Sequence, residues 1–368
     1  MMGFVAQNKM KKVNVLGLAL YGSNAASTRI RLSQYIPGFS SKNIHMDINS
    51  LLDNHYLENL YSKKKIPFIT VTLSYFKRIL ILIFKRKYQI YIVHCELFPF
   101  FPYFLEKFLL GKNYIYDFDD AFYLKYLSGK YSFLKIFLGK KFEKIITNAS
   151  YVSAGSKALY EYASQFNKNV ILLPSVVDTN NFSPTRNWEE KRYSHRNPLV
   201  LGWIGSPSTE KYLNILIKPL SNLGKKIPIK FLVVGGSCPD IPNVHIEELA
   251  WDEGSEVKHI NLMDIGLMPL QDDEWSRGKC GFKLVQYLSC KIPVIASNVG
   301  ANNEIVDRRC GFLVSNEDGW VRFINKLYND SRLIRSMGSF GRNRILEHYS
   351  LKANLPKFIS IILSANER

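Results

Sequence analysis

The sequence has no apolar run near the roughly twenty residues a helix needs to cross hydrocarbon. The longest beside a basic region is Ile79 to Phe84, six residues flanked by Lys77, Arg78, Lys85, Arg86 and Lys87. That excludes a span there and leaves either a helix lying on an anionic membrane surface, cations outward and aromatics in the interface, or a core helix with a solvated basic face. Cysteine is scarce: Cys95, Cys238, Cys280, Cys290 and Cys310 make an odd count with no Cys-x-x-Cys pair. This argues against a disulfide framework or a zinc ribbon and for a reducing compartment, with the thiols as small buried apolar groups. The turn after the first apolar run reads GLALYGSNAASTRIR, with Gly17 and Gly22 but no Gly-x-Gly-x-x-Gly, so no nicotinamide or flavin cofactor is expected. A Walker A loop is missing too, because Asp273 stands where its first glycine would precede Gly278. Acidic residues are few, 31 against 49 Lys and Arg, for a net charge of +18. The imbalance lies in residues 1 to 200, which hold 28 basic and 13 acidic side chains, against 21 and 18 in residues 201 to 368. Anionic partners follow from that surplus, and their surface lies mainly in the first half.

A chain of 368 residues fits two domains of about 150 to 200 residues. Apolar runs alternate with helix-length segments, the pattern of parallel sheets covered by helices. Strands are predicted at Val13 to Leu20, Ile90 to His94, Tyr114 to Phe118, Tyr151 to Ala154 and Val170 to Leu173. In the second half they are predicted at Leu199 to Ile204, Lys230 to Val234, Ile265 to Met268, Val294 to Ala296 and Phe312 to Val314. The start, MMGFVAQNKMKKVNVLGLAL, reads as a first strand and not as a signal peptide, since no small-residue cleavage site follows cleanly. The polar stretch from Pro174 to Pro198 reads as a linker. The fold class is therefore α/β, two doubly wound Rossmann-like domains with ligands expected in a cleft outside the carboxyl ends of the strands. The first spans 1–185, the second 186–348, and a last amphipathic segment fills 349–368.

The most informative stretch is DIGLMPLQDDEWSRGKCGFKLVQYLSCKIPVIASNVGANNEIV, residues 264 to 306. A helix over Phe282 to Ser289 would put Gly278, Lys279 and Gly281 in the loop before it and Lys283 in its first turn. Cations at a helix N-terminus cost stability unless an anion sits there. Glycines that admit close approach, free N–H groups and two ammonium groups together fit a diphosphate. Two solvated lysines on a loop would give the same spacing. Downstream, Gly300 to Asn303 open another helix with Glu304 in its first turn, which suits either a second ligand group or an acid complementing the dipole.

At these residues the sequence resembles the retaining glycosyltransferases of family 4, which have the GT-B fold. The likeness runs through IGSPSTEKYL (204 to 213), FLVVGG (231 to 236), DIGLMPL (264 to 270), GKCGFKLVQYLSCKIPVIAS (278 to 297), VGANNEIV (299 to 306) and GFLV (311 to 314). It is looser in GSNAASTRIRLSQYIP (22 to 37), YIYDFDDAFY (114 to 123), VSAGSKAL (152 to 159) and LPSVVD (173 to 178). The resemblance implies transfer from a nucleotide-activated sugar with retention and without an obligatory metal, the residues 349–368 crossing back to the first domain. Lys211, Lys279 and Lys283 would then offset the charge on the leaving diphosphate. The implied donor-binding set is Gly22, Ser23, Arg29, Gly205, Ser206, Lys211, Asp272, Asp273, Gln286, Asn302, Asn303 and Glu304. Two features depart from the family: its Glu-x7-Glu falls on Gly278 and Gln286, and its arginine after the first glycine of the domain falls on Ser206. Gln286 can still bond a ribose hydroxyl, and Asp272, Asp273 or Glu274 could recognise sugar hydroxyls instead. YDFDDAF aligns where many relatives place a histidine facing the transferred sugar, so Asp119 and Asp120 join Lys279 and Lys283 as catalytic candidates, with a capping cluster at the next helix as the alternative. Asp117 lies beside them, and closely spaced carboxylates are expected to raise one another's pKa.

His94 reads as a satisfied core histidine, whereas Arg29 and Arg31 could approach phosphates or form a solvated helix face. The expected partners are a nucleotide-sugar donor, UDP-linked by preference, a lipid-linked or surface-polysaccharide acceptor, and an anionic membrane surface on its cytoplasmic face. No nucleic acid is expected, since the cations form no recognised binding module and the motif-rich half is nearly neutral. No cofactor and no metal site are expected. The lost glutamates leave one rival, a non-catalytic GT-B scaffold that binds nucleotide or partner proteins.

Overall fold

A computed structural model describes residues 12–62, 64–84, 87–111, 113–185, 194 and 196–368. They form two compact units. One holds the chain up to Gly155, Leu159–Leu173 and Leu355–Arg368, and the other holds Ser156–Ala158 and Pro174–Asn354.

The first unit is built on six parallel strands: β1 (Val13–Tyr21), β2 (Ile44–Leu52), β3 (Ile90–His94), β4 (Tyr114–Phe118), β5 (Tyr151–Ala154) and β6 (Val170–Leu172). Their order is β2-β1-β3-β4-β5-β6. All five residues of β4 are buried, as a central parallel strand covered on both faces requires. The strand order reverses between β1 and β3, where an open sheet of this kind receives ligands beyond its carboxyl edge. The helix Leu351–Asn366 returns to this unit from Leu355 onward. There Phe358 meets the rings of Tyr35 and Phe39 edge-on, with centroids 4.9 and 5.3 Å away.

The second unit repeats the plan with β7 (Leu199–Ile204), β8 (Ile229–Val234), β9 (His245–Leu249), β10 (Ile265–Met268), β11 (Val294–Ser297) and β12 (Gly311–Val314). All are parallel, in the order β12-β11-β10-β7-β8-β9, so the reversal falls between β10 and β7. Alternate residues of β8 feed two cores, Phe231 and Val233 on one face and Leu232 and Val234 on the other.

Each predicted strand lies within one residue of its observed ends. Two of the four edge strands, β2 and β9, escape the sequence pattern because polar residues interrupt them, whereas the edge strands β6 and β12 show short apolar runs. No residue of β9 (HIEEL) is fully buried. The supposed linker is partly structural: residues 174–185 belong to the second unit, and Val177 and Phe182 are buried in its core. The Arg342 guanidinium fastens them by donating to Thr179 O at 2.7 Å and to Phe182 O. Residues 186–193 and 195 of that stretch, like residues 1–11, lie outside the described residues. Among the described residues no helix is long and apolar enough to cross a membrane.

Candidate functional site

The helix Phe282–Ser289 is fixed to its sheet by Tyr287. A side chain at Gly266 on β10 would collide with the Tyr287 ring, and Tyr287 Oη accepts a hydrogen bond from Ile204 N–H at the end of β7 at 2.9 Å. The start of this helix lacks a side-chain cap, as do the starts at Asn214, Glu256 and Asn302 in the same unit. Its N-cap is Gly281 in the left-handed region (φ 68°), with no side-chain cap and no acid in the first turn. The helices beginning at Glu274, Glu317 and Ser331 are capped by Asp273, Asn316 and Asp330. Lys283 is half-buried in the first turn, its Nζ 5.4 Å from the centre of the Trp203 ring near the end of β7. Lys279 is half-buried in the preceding loop, its Nζ 6.0 Å from the Trp275 ring. The positive end of a helix dipole and two ammonium groups thus share one edge of the sheet, an arrangement suited to an anion.

Beside it the backbone closes up. Gly205 N–H donates to Val234 O at 2.9 Å, and Gly235 (φ 80°) faces Gly205 O too closely for any side chain. Trp251, which follows β9, packs against Gly235 and donates from Nε1 to Glu256 Oε1 at 3.0 Å. Gln286 Nε2 donates to the same oxygen at 2.8 Å. Gln286 and Glu256 are both buried. One N–H of the Gln286 amide is thus engaged by Glu256, which places a buried carboxylate beside the expected ribose-binding residue. Sequence reasoning missed Glu256, since an acid in the first turn of a short helix looks like any residue complementing a dipole.

Other members of the expected donor set are engaged locally. Ser206 Oγ lies 2.8 Å from Ser208 Oγ, and exposed Lys211 sits 5.1 Å from the Tyr212 ring on the helical turn Pro207–Leu213. Tyr212 Oη, 3.1 Å from Ser276 Oγ, joins that turn to the loop carrying Lys279. Asp273 accepts Ser276 N–H at 2.6 Å as a helix cap, and Asp272 pairs with Arg277 at 2.7 Å, so sugar recognition by these two would compete with local partners. Asn302 is buried and donates to Ser297 O at 2.9 Å, anchoring the turn after β11, while Asn303 is exposed. Glu304 Oε1 accepts Lys157 N–H at 3.3 Å.

In the first unit, Gly22, Ser23 and Arg29 form a turn pinned from within. Arg29 Nη1 donates to Ser23 O and Asn24 O at 3.3 and 2.9 Å, and Asn54 Nδ2 donates to Ser23 Oγ at 3.0 Å. Arg31 neither faces phosphate nor lies on a solvated face. It is buried and grips Asp117 through Nε and Nη2 at 3.1 and 2.5 Å. Asp117 also receives Ser153 Oγ–H and lies 2.8 Å from His94 Nδ1. Burial alone would push the Asp117 carboxyl up, but the Arg31 charge and the bonds from His94 and Arg31 outweigh it and hold it well below the carboxylate range. The expected mutual rise among these carboxylates therefore fails at Asp117, which points into the core, whereas Asp119 and Asp120 follow the strand end and are half-buried. His94 is the buried, bonded histidine its position predicts. Its Nε2 lies 3.0 Å from Cys95 Sγ, and the donor atoms of His94, Cys95 and Asp119 all fall within 4.8 Å of one another. No metal-ligand spacing in the sequence announces this group, because Asp119 comes from the end of a different strand.

The helix Phe68–Phe84 in the same unit turns Arg78 inward, correcting its expected place among outward cations. Arg78 is buried and donates to Asn49 Oδ1 at 2.9 Å, Leu97 O at 3.0 Å and Ala19 O at 2.6 Å. Lys85 and Arg86 lie outside the described residues. The outer face exposes Phe68, Ile69, Leu73, Phe76 and Phe84. Tyr75 joins it to the loop before the helix Tyr103–Leu110, with ring centroids 5.5 Å from both Phe98 and Phe101. Phe100 continues the chain of rings to Tyr131 at 5.1 Å. Phe104, Phe108, Phe133, Ile136 and Phe137 are also exposed, with Lys125 4.9 Å from the Phe100 ring. Exposed apolar surface on this scale marks an interaction surface.

Residues 198–330 match the family model described as Glycosyl transferases group 1. No curated protein matches the chain. Among solved structures, sucrose-phosphate synthase from Thermosynechococcus elongatus superposes with a TM-score of 0.68 at 14% identity, over 96% of this chain and 99% of that one. The Anabaena protein HepE in complex with UDP and glucose gives 0.70 at 14% identity, over 96% and 100%. The lipopolysaccharide outer core galactosyltransferase WaaB gives 0.61 at 15% identity, over 96% and 99%. The fold is GT-B, residues 198–330 are similar to the glycosyltransferase group 1 family, and the protein is a transferase enzyme.

Proposed function

We propose that the protein is a retaining, family 4 type glycosyltransferase. It moves a sugar from a UDP-sugar to a lipid-linked or surface-polysaccharide acceptor, at an anionic membrane on its cytoplasmic face. The observation that carries this is the uncapped helix start at Gly281, where Lys283 and Lys279 meet the positive end of the dipole. A departing nucleoside diphosphate gains negative charge in the transition state, and fixed cations and N–H groups there lower the barrier without a divalent ion. Glu256, ordered by Gln286 and Trp251, accepts from the ribose hydroxyls. Asp119 and Asp120 serve the acceptor side, by binding sugar hydroxyls or taking the acceptor proton.

The choice of UDP is supported by HepE, whose structures hold UDP, glucose and UDP-glucose. The acceptor class is supported by WaaB and by the exposed aromatic face of the first unit. Retention follows from the motif series shared with family 4. The test is to incubate the protein with UDP-sugars and lipid extracts and to read the product's anomeric configuration by NMR. A linkage with the donor's configuration is expected. An inverted linkage, or UDP binding that demands a divalent cation, would overturn the reading.

A further inference from the structure

His94 and Cys95 are consecutive, and consecutive residues of an extended strand point to opposite sides. Here they converge. Cys95 follows the last residue of β3 with φ 65°, a left-handed backbone conformation unfavourable for a side chain bearing a Cβ. That conformation is held on both sides: Cys95 N–H donates to Asp117 O at 2.9 Å, and Cys95 O accepts Tyr116 Oη–H at 2.9 Å. The result is Sγ 3.0 Å from His94 Nε2. Strain of this kind persists where the surrounding structure enforces it, commonly at functional sites.

The other face of the imidazole is equally specific. His94 Nδ1 lies 2.8 Å from the Asp117 carboxylate, which Arg31 and Ser153 also fix. A carboxylate on one ring nitrogen sets the tautomer that leaves the other nitrogen's lone pair free, the outer arrangement found behind metal-bound histidines. The third donor, an Asp119 carboxylate oxygen, completes a set whose atoms lie within 4.8 Å of one another. Ligand atoms around a tetrahedral zinc stand roughly 3.5 Å apart, given bonds of about 2.0 to 2.3 Å.

We propose that His94 Nε2, Cys95 Sγ and Asp119 hold a zinc-class divalent ion at the carboxyl edge of the first unit's sheet. One nitrogen, one sulfur and one oxygen donor suit zinc over magnesium or calcium, which take oxygen ligands. Three protein ligands leave a tetrahedral ion one position for water or a substrate hydroxyl. On binding, the Cys95 thiol gives its proton to solvent and its sulfur takes the ion. The site uses residues of the first unit alone, and it stands whether or not the reading of Lys279 and Lys283 holds.

Cobalt(II) tests the site, because thiolate ligation gives it a near-ultraviolet charge-transfer absorption. Tag-free protein, stripped with a chelator, is titrated with cobalt(II) and then with zinc(II). The expected result is the thiolate band saturating at one cobalt per chain and disappearing as zinc displaces it. Cys95→Ser should remove the band, while Cys290→Ser and Cys310→Ser keep it. Asp119→Asn should weaken cobalt binding by at least about tenfold, the lower end of the loss seen even for residues behind the ligands. Far-ultraviolet circular dichroism and a thermal melt report whether Cys95→Ser is folded, and both should match the metal-free wild type. Absence of the band in wild-type protein, or an unchanged band in Cys95→Ser, would overturn the proposal.

Discussion

Lys283 occupies the first turn of a helix with no capping side chain and no acid beside its N-terminus, so its ammonium adds to the dipole's positive end. Activity and stability therefore pull in opposite directions at this residue. Lys283→Ala and Lys279→Ala should each lower turnover about 10²- to 10³-fold, the loss expected for one donor to a developing anion. Lys283→Glu should go further in activity yet raise stability by about 0.3 to 1 kcal/mol, because an acid suits the position. Steady-state kinetics alongside thermal melts check both signs; wild-type turnover in both alanine variants would remove the assignment. Glu256 makes a different kind of prediction. Its carboxylate is ordered by Trp251 and Gln286, so Glu256→Gln should weaken UDP binding about 10- to 100-fold, the worth of a hydrogen bond to a charged group. Turnover at saturating donor should change little. An unchanged affinity, measured by calorimetry, would leave Glu256 a purely internal partner of Gln286.

The elements differ in how plainly the sequence announces them. The interior strands and the Phe282–Ser289 helix are legible because burial on both faces demands continuous apolar residues, and a switch in periodicity marks the helix. The edge strands β2 and β9 are not, since β9 needs only backbone pairing with β8, while the edge strands β6 and β12 still show short apolar runs. The lysines of the candidate site were legible because their spacing places them against a helix N-terminus. Glu256 and the His94, Cys95 and Asp119 convergence were not, because long-range packing and a left-handed residue bring those atoms together. The direction of Arg78 was hidden for the same reason: only the tertiary structure shows the backbone carbonyls that receive it. Its inward anchor leaves the opposite face of the Phe68–Phe84 helix apolar. Replacing Phe76 and Phe84 with Ser should therefore reduce binding to anionic vesicles, about tenfold or more for each ring that enters the interface. Vesicle co-sedimentation at low and high salt measures this. Equal binding by the variant would move the membrane contact elsewhere on the basic unit.

At the scale of the whole molecule, stability should depend on pH through one buried network. Lys141, buried, serves two buried acids, Glu96 at 2.8 Å and Glu106 at 2.9 Å, while Lys125 adds a second cation to Glu96 at 2.6 Å. Burial pushes Glu106 from 4.5 up to about 7, only partly offset by Lys141. Burial also raises Glu96, but its two lysines outweigh this and hold it below the ordinary value. Because the folded value of Glu106 is the higher one, its contribution is complete below about pH 4.5. It is lost as pH rises through about 7, roughly 1.4 kcal/mol going with each pH step between those two values. The contribution of Glu96 has the opposite sign and is lost only below about pH 4.5, outside that window. The melting temperature should thus fall between about pH 4.5 and 7, and Glu106→Gln should flatten that fall; an unchanged profile would place the titrating group elsewhere. The central claim is that the second unit binds a nucleoside diphosphate through its own lysines. Calorimetric titration of UDP into wild type and Lys283→Ala, with and without added magnesium, tests it most directly. The expected result is binding to the wild type that magnesium does not alter and at least tenfold weaker binding to Lys283→Ala. Binding only in the presence of magnesium, or equal affinity in the two proteins, would contradict it.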